Sequence, residues 1–180
     1  MNIFYLDENY ETAAKQHLDK HVVKMIIEYA QLMSTAHRVI DGTQWYDKTA
    51  AGRRIARWEH PNTEQDQILY KASHINHPSG IWARESFSNY MWLYSLWEEL
   101  CKEYTHRYGR VHLTQQKLEH ILKHAPMGIK DGPMTKMPQA MPDEFKQSDS
   151  IEAYREYYRI AKAKMAVWTK RETPSWYFAT

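Results

Sequence analysis

The stretch Gln16-His-Leu-Asp-Lys-His-Val-Val-Lys-Met-Ile-Ile-Glu28 gathers the residue types best able to do chemistry. Read as one helix, it places His17, His21, Lys24, Glu28 and Gln31 along one side at three-and-four spacing. Two imidazoles, an amine and a carboxylate in a row suit acid–base catalysis, imine formation or metal binding. A histidine pair four apart can also hold a metal ion. An ordinary helix end with a Lys24–Glu28 pair, cation first, would carry the same residues and gain only a few tenths of a kcal/mol.

Three other groups could bind rather than react. Ser73-His-Ile-Asn76-His77-Pro78 is a turn ahead of a helix, where free backbone N–H groups suit a phosphate, and Arg84 one or two helical turns on could add a bidentate contact. A simple helix cap with an Arg84–Glu85 surface pair reads equally well. Arg53, Arg54 and Arg57 stand near Trp45, Lys48 and Trp58, a mixture that fits phosphate tracking with base stacking. A solvated helical face predicts the same residues. The tail Pro174-Ser-Trp176-Tyr177-Phe178 could stack on bases or tuck into a core.

Positioning these groups calls for a mainly α fold, a single-domain helical bundle over residues 1–180. Residues 2–6 form a short extended or strand-like lead-in. Asp7 or Asn9 caps a long first helix that runs to about Ile40, with Leu18, Val22, Met25, Ile26, Tyr29, Leu32 and Met33 as its buried stripe. Residues 43–72 read as a basic, aromatic connection with one short helix at most, and no strand is expected beyond the lead-in. Residues 79–108 make a second long helix ending at Gly109, and a third starts near Thr114 and stops before Pro126. Residues 126–148, with Pro126, Pro133, Pro138 and Pro142, form an irregular loop before a last helix from Ser150 to about Lys170.

A formal net charge of +2 does not by itself announce a nucleic-acid partner, although a local basic patch remains compatible with it. The lone Cys101 rules out an intrachain disulfide framework and a Cys-rich zinc site. No apolar run reaches membrane-span length and residues 1–20 lack a signal-peptide core, so a soluble cytoplasmic protein without a membrane partner is expected. Aromatic residues make up 13% of the chain, enough that some could serve as stacking surfaces beyond the core.

In order and spacing the chain resembles the endonuclease V-type pyrimidine-dimer DNA glycosylases of phages and bacteria, and also small phage proteins. The likeness lies in the lead-in feeding a helix with Gln16-His17-Leu18, in Asn76-His77-Pro78, and in Glu98/Glu99…Tyr104…Arg107-Tyr108-Gly109. It continues in Met141-Pro-Asp-Glu-Phe145 and in the Thr173-Pro-Ser-Trp176-Tyr177 tail. The resemblance implies a glycosylase/AP-lyase in phage-infected or bacterial cytoplasm. Such an enzyme acts on damaged or modified bases of double-stranded DNA through an amine that forms an imine, without a cofactor or metal. Aligned on Gln16-His17-Leu18, Lys24 stands where the family has its catalytic glutamate, and Glu28 is the nearest acid on that face. Asn2 is bulky enough to leave Met1 in place, so the amine would be that of Met1 or of Lys24, with Glu28 or His21 moving the proton. Arg53, Arg54, Arg57, Asn76, His77 and Arg84 would hold DNA, and Trp176 and Tyr177 would stack. Two alternatives stand beside this reading: a non-catalytic nucleic-acid-binding phage protein, and a metal-dependent hydrolase built on His17/His21 and His74/His77.

Overall fold

The computed structural model describes residues 1–179 and is mainly helical, with one small antiparallel sheet. Among the described residues no helix is long and apolar enough to cross a membrane. Asn9 caps α1 (Tyr10–Gln16) by accepting Thr12 N–H at 2.9 Å. The long first helix expected from periodicity is two helices. His17 and Leu18 adopt extended backbone, and α2 spans Asp19–Asp41. His17 makes the break by turning its ring back, Nδ1 donating to the Ala13 carbonyl at 2.7 Å at the end of α1.

The buried stripe on α2 follows the sequence: Leu18, Val22, Met25, Ile26, Tyr29, Leu32 and Met33 are all in the core. They meet α4 (Pro78–Glu85), α5 (Phe87–Tyr108) and α6 (Leu113–Leu122), with Trp97 of α5 donating its indole N–H to the Ile26 carbonyl at 2.8 Å. The second long helix is also divided. Ser86 is extended (φ −146°), its hydroxyl capping α5 at Asn89 and donating to the Pro133 carbonyl. Gly109 ends α5 in the left-handed region that L side chains avoid. The proline-rich segment after α6 is irregular as expected, though Met137 and Met141 drop into the core. It leads to α7, Ser150–Ala161, which stops well short of Lys170.

Two expectations about strands need correcting. The lead-in is extended but pairs with no strand; Ile3, Phe4 and Leu6 are buried, and Phe4 N–H goes to the Tyr29 hydroxyl at 3.1 Å. The connection after α2 contains a hairpin, β1 (Thr43–Lys48) with β2 (Arg54–Glu59), in the register Trp45↔Arg57 and Lys48↔Arg54. Gly52, with φ +75°, turns the loop between them. Gly42 starts the hairpin because a Cβ there would stand 2.3 Å from the Arg38 carbonyl oxygen and 2.8 Å from that of Glu59. A short α3 (Thr63–Ile68) follows, capped by Asn62.

Burial lowers the His17 pKa to about 4 and that of His21 to about 2. Both rings are therefore uncharged at neutral pH, while in the unfolded chain each takes a proton below about pH 6.5. Lowered histidine values give stability that is complete above pH 6.5 and falls as the pH drops toward the folded values. Denaturant titrations should show a loss of about 2 kcal/mol per histidine between pH 7.5 and pH 5. His37, lowered to about 4 by burial, adds a comparable share, so His17→Gln should remove about 2 kcal/mol of the total change; a total unchanged by the substitution would contradict the assignment.

Candidate functional site

The outer side of α2 carries Lys24 and Glu28, and two other segments converge on it. The lead-in returns along the helix because Ile3, Phe4 and Leu6 are buried and the Phe4 amide is held by Tyr29. Tyr29 is fixed in its turn. His17 Nδ1 donates to a carbonyl, so its neutral ring accepts at Nε2, and the Tyr29 hydroxyl donates to it at 2.9 Å. The hydrogen bonds run without a gap from the Phe4 amide through Tyr29 and His17 to Ala13.

This relay delivers the Met1 α-amine to 3.7 Å from Glu28 Oε2, while Lys24 Nζ sits 3.0 Å from Oε1. One carboxylate thus serves two amines. They differ in surroundings: the Met1 side chain is 7% exposed, that of Glu28 16% and that of Lys24 67%. His77 enters from the turn before α4. Its Nδ1 accepts the Ser79 amide at 3.2 Å, so the neutral ring carries its proton on Nε2. Burial lowers the His77 pKa, the positive charges of the Met1 amine and His74 lower it further, and Glu28 opposes them. His74 beside it holds φ +50°, a strained value for a non-glycine residue. Chemically, the cluster offers an amine to attack an electrophilic carbon, a carboxylate to receive its proton, and an imidazole N–H to donate.

Other expected site residues are placed differently. His17 and His21 do not belong to the exposed row. Both are buried, His17 bound to Ala13 and Tyr29, and His21 stacked on Phe4 with Nδ1 2.6 Å from the Tyr158 hydroxyl. They cannot act with Lys24 and Glu28, nor offer a paired metal site facing solvent. Arg84 is half-buried and turned inward, donating to the Ile75 carbonyl at 2.7 Å, with no hydrogen-bond partner for its other terminal nitrogen Nη1. Asn76 is exposed at the tip of the same turn. Trp176, 9% exposed, packs edge-on against Tyr158 and is turned into the core, whereas Tyr177 is half-buried with its ring edge-on to Trp168.

The three arginines lie on the hairpin but not on one face of it. Arg54 covers the Tyr46 ring at 3.5 Å on one side, and Arg57 reaches Asp47 at 3.8 Å on the other. Arg53 stands at the turn end, exposed together with Trp45, Tyr46 and Lys48. Arg38 of α2 anchors this hairpin. Its five N–H donors are all used, on the carbonyls of Trp58, Asp66, Leu69 and Tyr70 and on the Asp66 carboxylate. Sequence reasoning passed over Arg38, and also His37 and Asp41, whose four-residue spacing on α2 was the visible signal.

Comparison with known protein families, with curated proteins and with solved structures found no match to this chain. The site geometry therefore carries the functional reading.

Tyr29→Phe should leave the buried Phe4 amide and His17 Nε2 unpaired at once, a loss of about 2–4 kcal/mol measured by denaturant unfolding. Amide exchange at residues 3–6 should accelerate more than at α5, because the lead-in loses its clasp. Equal acceleration throughout would mean that Tyr29 merely packs.

Proposed function

We propose that the protein is a DNA glycosylase/AP-lyase that acts on damaged or modified bases in double-stranded DNA through an imine intermediate. The observation that carries this reading is the Met1 α-amine held 3.7 Å from the Glu28 carboxylate. In the proposed reaction the amine nitrogen bonds to the sugar C1′ as the bond from C1′ to the base breaks, and the departing base takes up a proton. The amine gives one proton to Glu28 before it attacks and a second after the base has left; the C1′–O4′ bond then breaks, the ring oxygen takes up a proton as a hydroxyl, and the opened sugar is held as an imine. Met1 is the preferred nucleophile over Lys24 because its side chain is the better shielded of the two, and water competes less there. Lys24, largely solvated, pairs with the other oxygen of Glu28 and supplies positive charge at the rim. His77 is a candidate donor to the departing group or to a phosphate.

The hairpin is the second part of the proposal. Arg53 and Lys48 at its exposed end, Arg54 over Tyr46, and exposed Trp45 combine cationic and stacking groups on a projecting two-stranded ribbon. A β-ribbon of this kind enters a groove of duplex DNA and touches phosphates on both sides, for which arginines on opposite faces are suited. Asn76, beside His77 on an exposed turn, would extend that contact toward the amine.

Borohydride added to the protein with duplex DNA containing an abasic site should trap a covalent adduct, mapped by mass spectrometry to the Met1 α-amine. Glu28→Gln should lower adduct formation on the order of 10²-fold or more, and Lys24→Ala should retain the Met1 adduct. Arg53→Ala/Arg54→Ala should weaken DNA binding and flatten its salt dependence by about two charges. An adduct on Lys24 would keep the chemistry and move the nucleophile. Salt-sensitive binding with no adduct would sink the enzyme reading in favour of a non-catalytic nucleic-acid-binding protein.

A further inference from the structure

At the opposite end of α2 from the amine lies a second group of titratable side chains that the reaction above does not use. His37 and Asp41, one turn apart, face His60, which follows β2. One donor atom from each of the three lies within 4.8 Å of the other two, and His60 Nε2 is 4.0 Å from Asp41 Oδ2. His60 is 6% exposed, yet its Nε2 has no hydrogen-bond partner. A buried ring nitrogen without a partner costs stability and calls for an explanation. All three residues border a cavity of about 460 Å³, closed elsewhere by Gln65, Ile121, His124 and Met127.

The hydrogen bonds around the cluster define what each group can still do. The Tyr90 hydroxyl donates to the Leu122 carbonyl at 2.9 Å, so the His37 Nε2–H must donate to Tyr90, at 3.0 Å. The His37 Nδ1 lone pair is left over for a cation. Asp41 is an oriented carboxylate: Met127 N–H and Gly128 N–H each donate to one of its oxygens at 2.8 Å, which leaves lone pairs on both. His60 Nδ1 accepts the Asn62 amide at 3.2 Å. A cation at His60 Nε2 moves the ring proton to Nδ1 and turns the Asn62 amide, on an exposed residue, toward water.

We propose that His37, Asp41 and His60 bind one divalent transition-metal ion of the zinc type, with its remaining coordination position open to the cavity. Two imidazoles and one carboxylate are a borderline-soft set that suits zinc, cobalt(II) or iron(II) over magnesium or calcium. Donors around a tetrahedral ion with bonds of about 2.1 Å stand roughly 3.4 Å apart, so side-chain rotations of about 1 Å would close the triangle. Three protein ligands with one position left open is the arrangement of an ion that binds or activates a ligand rather than one that only staples a fold. The site is independent of the amine chemistry, and it would also tie the end of α2 to the base of the hairpin.

The test uses the full chain without a histidine tag, treated with chelator and dialysed. Zinc titration by calorimetry and cobalt(II) titration by visible absorption should each give one equivalent, and zinc should raise Tm. His60→Gln and Asp41→Asn should each weaken binding at least about 10-fold, whereas His106→Gln, on the exposed side of α5, should not. Should either variant misfold, ring-nitrogen chemical shifts of the unaltered protein decide: zinc should shift His37 and His60 and leave His17 and His21 in place. Weak binding at several sites, binding that survives both substitutions, or unshifted His37 and His60 signals would each overturn the proposal and leave a plain His60–Asp41 contact.

Discussion

A helix buried on most of its circumference cannot carry polar side chains on its inner arc without partners, and α2 carries several. The partners assemble much of the molecule. Tyr29 recruits the lead-in through the Phe4 amide, His37 recruits α5 through Tyr90, and Arg38 recruits β2 and α3 through four carbonyls and a carboxylate. Leaving any of these groups unpaired in the interior costs a full desolvation, which is why the arrangement is specific rather than merely compact. Ser34 is an exception, its hydroxyl buried without a partner.

A second polar cluster closes the other side. Arg107 of α5, fully buried, donates to Glu103 at 2.7 Å, to Asp19 at 2.8 Å and to the Lys15 carbonyl at 2.9 Å. Asp19 in turn accepts from Thr169, and Arg171 returns to Glu103. The cluster holds the break between α1 and α2 against the end of α5 and the segment after α7. Removing one member would strand buried charge, which is far more costly than the pair is stabilising. The aromatic tail lies inward as a consequence: with residues 167–171 fixed there, Trp176 is brought onto Tyr158.

Helical content, the caps at Asn9 and Gly109, and the apolar stripe of α2 were legible in the sequence because each depends on neighbours in the chain. The polar row was half legible. Lys24 and Glu28 do share a face, and Met1 does approach them, but His21 lies about 60° around the helix from Lys24, which is enough to cross the boundary into the core. His17 lies in the break ahead of α2, because its own ring caps α1. Nothing local announces either event; both depend on Tyr29 and Tyr158 arriving from elsewhere. The hairpin escaped for the opposite reason. β1 is exposed almost throughout and the middle of β2 is half-buried on both faces alike, so neither strand has the alternation of apolar and polar residues that marks a strand with one buried face. Its turn, Thr49 to Gly52, is also not one of the short asparagine–glycine pairs that signal a hairpin.

That solvated hairpin consists of two edge strands and nothing between them. Each strand has an outer row of backbone N–H and C=O groups facing away from its partner, a ready template for a strand of another molecule. What stands guard is the charge along it: the cations Lys48, Arg54 and Arg57 and the anions Asp47 and Glu59 are set around a ribbon with exposed Trp45 and Tyr46. The same cations therefore have a second occupation as a deterrent to self-association. Stripping them away would leave an aromatic ribbon with open edges, so resistance to self-association and the proposed contact with DNA would rest on the same few side chains.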